Sequence, residues 1–205
     1  MNMTGGPEPA PAGEARPMRA DARRNYARLL SAAVAAFTEH GADDASLEEI
    51  ARRAGLGIGT LYRHFPSRQA LLEAVYRDQV EALRARADEL LATQPPGEAL
   101  TEWLRALSAF SSTKHNLTSA LLTTLGQDSD LMSLCGKVIC EAADTLLTRA
   151  KQAGVVRPEA DARDVIRLVH AVNIATQRAP ADPGQADRLL GLVLDGLRPQ
   201  PSDHA

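Results

Sequence analysis

The sequence predicts an all-α protein of about nine helices, and three observations lead to that class. Alanine and leucine supply 36 and 27 of the 205 residues while aromatics make up only 3%, a mixture that favours helix over strand. Apolar residues recur every 3.6 positions through nearly the whole chain after residue 18. No segment shows the regularly spaced short strands of a sandwich or barrel, and no fixed-period repeat suggests a solenoid. No apolar run approaches the roughly 18 residues that a membrane span requires.

Residues 1–18 contain Pro7, Pro9, Pro11 and Pro17 with Gly5, Gly6 and Gly13, but neither a basic start nor an apolar stretch. They read as a disordered tail and not as a secretory signal, so a cytoplasmic location is expected. The first helical stripe is Tyr26, Leu29, Leu30, Ala33, Val34 and Phe37, stopped by Gly41. Ser46-Leu47-Glu48-Glu49 has the spacing of a capping box and opens a short helix through Ala54. Gly55-Leu56-Gly57 ends it, a second short helix runs from about Ile58 to Phe65, and Pro66 closes that. Ser67 then caps a long helix to about Ala92, and Gln94-Pro95-Pro96-Gly97 is a linker. Leu100, Trp103, Leu104, Leu107 and Phe110 share the next face. Lys114-His115-Asn116 breaks it before Leu117, Ala120, Leu121 and Leu125, and Gly126 ends that piece. Leu131 to Leu146 mark a helix ending at Gly154, Val165 to Val172 another after Pro158, and Leu189 to Leu197 the last after Pro183-Gly184. The expected organisation is a tail at 1–18, a three-helix domain at 19–66, a larger helical domain at 67–198 and a flexible end at 199–205.

The formal net charge of −3 is unevenly placed. Nine arginines face six acidic residues between Arg16 and Arg68, whereas the remainder holds 14 basic and 20 acidic groups. Such a chain offers a polyanion one end and repels it from the other. The basic end also contains the most informative stretch, residues 46–65. A helix-turn-helix needs a small residue where its helices cross and a glycine where the chain leaves the first helix left-handed; Ala51 and Gly55 stand four apart in those roles. Ile50, Ala54, Leu56 and Leu61 then fill the wedge. Ile58, Gly59, Thr60, Tyr62, Arg63 and His64 are left facing outward on a helix of the kind that reads a major groove. Ile58 suits a thymine methyl, Gly59 a close backbone approach, Thr60 and Tyr62 a phosphate or base edge, Arg63 guanine or phosphate, and His64 a phosphate. Ser46 and Ser67 stand at helix N-termini that attract phosphate, and Arg23, Arg24 and Arg68 flank the unit. Arg52 and Arg53 read as a solvated helix face.

Residues 25–75, and above all Gly57-Ile58-Gly59-Thr60-Leu61-Tyr62-Arg63-His64-Phe65-Pro66-Ser67-Arg68, strongly resemble the DNA-binding domain of TetR family transcriptional regulators. Ile58 stands where that family often has a basic or polar residue, and Arg68 where lysine is usual. The resemblance implies a homodimer that binds double-stranded DNA at a palindromic operator, most simply as a repressor, with a larger C-terminal domain for dimerisation and an inducer. It assigns DNA contacts to Thr60, Tyr62, Arg63 and His64 and places Phe65 in the core. It also implies that the last two helices of each subunit form the dimer seam, with Val165, Val169, Val172, Leu190, Val193, Leu194 and Leu197 as candidates. Trp103, Leu107, Phe110, Leu121, Met132, Cys135 and Ile139 are candidate pocket lining, although apolar stripes at helical spacing are usually plain packing. Asn173, Gln177 and His115 are candidate polar anchors for a small apolar or aromatic ligand. Cys135 and Cys140 lie about 140° apart around a helix, which suits neither a metal nor a redox pair. No nucleophile or acid–base pair signals an enzyme, and no cofactor is expected.

Overall fold

A computed structural model describes the backbone of residues 15–125, 130–177, 182 and 184–199, and the side chains of 20–111, 130–176, 182 and 184–199. Among the described residues there are eight α-helices and no strand: α1 (Ala15–His40), α2 (Leu47–Arg53), α3 (Ile58–His64), α4 (Arg68–Thr93), α5 (Pro96–Leu125), α6 (Asp130–Gln152), α7 (Ala162–Gln177) and α8 (Gln185–Gly196). The all-α expectation holds, but the count falls from about nine to eight because Lys114-His115-Asn116 does not interrupt α5. A polar triplet with neither glycine nor proline leaves the backbone ladder intact, so nothing there stops the helix. α1 starts at Ala15, inside the segment expected to be tail. Gly126, most of that tail and the end from 200 lie outside the described residues.

α4 is the central element. It packs against α1 at its start and against α5 and α6 along its length, burying Leu71, Leu72, Val75, Tyr76, Val80, Leu83, Ala87 and Leu90. Full burial of each leucine contributes about 1.5–3 kcal/mol. α5 answers with Ala99, Leu100, Trp103, Leu104 and Leu107. Trp103 is wholly buried, and its indole N–H donates to the Leu83 carbonyl across 3.0 Å. α7 and α8 pack on each other and on α5.

Within the protomer many of the expected pocket and seam residues are already packed. Trp103, Leu107, Cys135 and Ile139 are buried in the core. Asn173 is also buried and is already engaged: Ser108 Oγ donates to its Oδ1 at 3.2 Å, and its Nδ2 donates to the Val169 carbonyl at 3.0 Å. Phe110 and Met132 pack partly buried against the core. Phe110 lies 6.3 Å from the Tyr76 ring, whose phenol is pushed up by burial and then by neighbouring Cys135. The side chains of His115, Leu121 and Gln177 lie outside the described residues. A cavity of about 800 Å³ lies elsewhere, between the α4–α5 turn, Val155 and Val156, and α8. Val165, Val169, Leu190 and Leu197 point into their own protomer, while Val172, Val193 and Leu194 are half-buried. The large apolar side chains that α7 and α8 expose are instead Leu168, Ile174 and Leu192, at 49%, 53% and 68%.

Candidate nucleic-acid interface

α2 and α3 form a helix-turn-helix whose turn depends on one backbone conformation. Gly55 has φ +63°, a region that costs an L-residue about 1–2 kcal/mol. The N–H of Gly55 returns to the Arg52 carbonyl at 2.9 Å and that of Leu56 to the Ala51 carbonyl at 2.9 Å, which closes the C-terminus of α2. An ideal Cβ on Gly55 would fall 2.5 Å from Arg28 Nη2, so Arg28 of α1 covers the turn. Ile50, Ala51, Ala54 and Leu61 are buried in the wedge between the helices, as their spacing predicts, and Leu56 is half-buried at its edge.

α3 presents two faces. Leu61 is fully buried and Phe65, just past the helix, is nearly so. On the other side Ile58 and Tyr62 are 36% and 46% exposed, and Arg63 is exposed and enters no ion pair among the described residues. Gly57 and Gly59 have nothing within 4 Å of where a Cβ would stand, so the first turn of α3 is open to close approach. Thr60 and His64 are only half-exposed. His64 sits beside Tyr26 of α1 and Phe65, with ring centroids 6.0 and 6.2 Å apart, at the edge of the exposed face. Of the flanking arginines on α1, Arg23 is exposed and Arg24 is ion-paired with Asp21.

Several polar residues around the reading helix bond to the protein itself. Ser46 accepts from the Glu49 N–H at 3.3 Å and donates to Glu48 Oε2 at 2.9 Å, so a carboxylate already occupies the N-terminus of α2. Glu49 does not complete the capping box. It pairs with Arg53, whose hydrogen bond holds its carboxyl below the usual range. The other nitrogen of Arg53 meets Glu39 at 2.7 Å, so Arg53 bridges α1 and α2 where a solvated face was expected. The Glu48 carboxyl is likewise held low, first by backbone N–H bonds and then by Ser46. Ser67 caps α4, accepting from the Ala70 N–H at 3.1 Å. Arg68 donates to the Ala42 and Ala45 carbonyls at 2.8 and 2.6 Å, a use of its guanidinium that its reading as a flanking phosphate contact did not include. Arg28, Arg53 and the protein-facing side of Arg68 are the site residues whose roles the sequence concealed. The contacts that reveal them, Arg28 with Gly55, Arg53 with Glu39 and Arg68 with Ala42 and Ala45, join positions far apart along the chain, beyond the reach of any local spacing rule.

Comparison with known proteins matches two separate stretches of the chain. Residues 29–75 match the model for bacterial regulatory proteins of the tetR family, and residues 95–199 match the C-terminal domain model for SbtR-like transcriptional regulators. The HTH-type transcriptional regulator UidR of Escherichia coli K12 is 36% identical over 72 residues, 35% of this chain and 37% of UidR. The match thus spans little more than a third of that relative. Two crystal structures match almost end to end. The TetR transcriptional regulator SCO0520 from Streptomyces coelicolor is 40% identical with a TM-score of 0.74, covering 85% of this chain and 98% of that one. The TetR transcription regulatory protein from Mycobacterium vanbaalenii is 34% identical with a TM-score of 0.69, covering 89% and 99%.

Proposed function

Because the chain belongs to the TetR family of DNA-binding transcriptional regulators, we propose that it acts as a homodimeric repressor, released from a palindromic operator by a small apolar or aromatic ligand. The observation that carries this reading is the two-sided α3: Leu61 and Phe65 anchor it, while Ile58, Tyr62 and Arg63 stand clear beside the open Gly57 and Gly59. A helix so placed reads a major groove from its first turns. Arg63 supplies a bidentate donor for guanine or a charge for phosphate, Tyr62 a hydroxyl, and Ile58 an apolar contact for a thymine methyl. Arg23 adds charge from α1.

The head is taken as the unit up to Pro66 and the rest as the ligand-binding and dimerisation unit. Leu168, Ile174 and Leu192 support a dimer through the outer faces of α7 and α8, since three large apolar side chains left to water on two adjacent helices suit a partner surface. No helix among the described residues is long and apolar enough to cross a membrane, and the DNA-reading role proposed for α3 puts the protein in the cytoplasm.

The test is selection of duplexes from a randomised pool on the full chain, followed by titration of the winner at several salt concentrations. An inverted repeat with half-sites about one helical turn, or a multiple of it, apart is expected, with affinity falling steeply with salt. A pool that yields no enriched sequence overturns the reading.

A further inference from the structure

Arg68 is the first residue of α4, and its side chain reaches back 26 and 23 positions to two carbonyls in the turn between α1 and α2. Nη1 donates to the Ala42 oxygen at 2.8 Å and Nη2 to the Ala45 oxygen at 2.6 Å, with both alanines buried and the arginine half-buried. A planar fork is suited to holding two acceptors at once, whereas a lysine ammonium is a compact point charge on a flexible stem. Ala45 immediately precedes Ser46, the cap of α2, and α2 carries α3 through the Gly55 turn. At the far end of α2, Arg53 ties that helix to Glu39 of α1. The reading unit is therefore held at both ends, on α1 by Arg53 and on α4 by Arg68.

We infer that Arg68 is a positioning residue for DNA binding: by clamping the α1–α2 turn to the first turn of α4, it makes α2 and α3 move as one body with α4. The inference rests on the DNA-reading role of α3 but assigns Arg68 a different task, because both terminal nitrogens donate to protein carbonyls. α4 continues for 26 residues into the bundle against α5 and α6. Any tilt imposed there reaches the reading helix through this joint.

The experiment compares the full-length protein with Arg68→Lys and Arg68→Gln. Each is titrated, over a series of salt concentrations, with a duplex enriched by the wild type, and amide exchange is followed in the DNA-free proteins. Both variants should bind about tenfold more weakly, as removal of two charge-assisted hydrogen bonds implies, with the wild-type slope of log K against log salt. Amides of 43–50 should exchange faster while those of α5 and α6 are unchanged. Restoration of wild-type affinity by Arg68→Lys, or a slope shallower by about 0.9, the value of one neutralised phosphate, would show that Arg68 meets the DNA backbone and overturn the inference. So would unchanged affinity and exchange, or an unfolded fraction large enough to account for the weaker binding. If the wild type enriches no duplex, the DNA-reading role fails by itself, and the exchange measurement still decides whether the clamp orders the turn.

Discussion

Leu61, Tyr62 and Arg63 are neighbours in sequence, yet steps of about 100° around α3 send the first into the wedge and the other two outward. Truncating them therefore has different consequences. Arg63→Ala should leave the unfolding midpoint unchanged and weaken operator binding by about 1–3 kcal/mol if the arginine pairs with a base in bidentate fashion. Leu61→Ala should cost about 2–5 kcal/mol of stability through the cavity it leaves. Urea denaturation together with a gel shift separates the two, and an Arg63→Ala protein that binds at wild-type affinity would remove Arg63 from the interface. Gly55→Ala should destabilise by about 1–2 kcal/mol, because the added Cβ meets both the positive φ and Arg28. At this scale the sequence is informative wherever chemistry is local. The Gly55 turn and the inward Leu61 follow from spacing alone, but the donors of Arg53 and Arg68 fit phosphate and protein acceptors equally well. Only the folded chain brings Glu39, Ala42 and Ala45 to them.

Among the elements, α2 is so short that its ends govern it. Among its leading N–H groups that of Glu49 donates to the Ser46 hydroxyl, the Glu48 and Glu49 carboxylates put negative charge in the first turn, and Arg52 and Arg53 complement its last turn. Ser46→Ala should cost about 1 kcal/mol, read as a lower unfolding midpoint with an unchanged salt slope for DNA binding. Both carboxyls are held below their ordinary range in the fold. Their contribution is therefore fully present above the unfolded-state value, near 4.3, and drains away as pH falls through the lower folded values. An acid titration should accordingly weaken the head below about pH 4.3, and Glu49→Gln should reduce that acid sensitivity. α5 shows the opposite limit of legibility. Its polar triplet at 114–116 reads as a break, but a helix already propagating along a buried face needs a glycine, a proline or a competing cap to end it, and none stands there.

At the scale of the whole molecule, apolar stripes tell where a helix is greasy but not which surface it faces. α7 and α8 carry apolar residues on more than one side. The sequence favoured Val165, Val169, Leu190 and Leu197 as the seam between subunits, whereas the fold turns all four toward their own core. Leu168, Ala171, Ile174 and Ala175 recur at three- and four-residue spacing along the outer side of α7, and Leu192 projects from α8. An isologous interface through that surface would match a palindrome, because one two-fold axis relates both the subunits and the half-sites. Two substitutions on opposite sides of α7 then have opposite signatures. Ile174→Glu should give a folded monomer, since its side chain is already half in water in the single protomer, and specific DNA binding should fall as the second reading head is removed. Val165→Glu should instead bury an uncompensated charge and unfold the protomer whatever its concentration. Sedimentation equilibrium at micromolar concentration, paired with circular dichroism, reads both. An Ile174→Glu protein that stays dimeric and binds the inverted repeat at wild-type affinity would move the seam off this face.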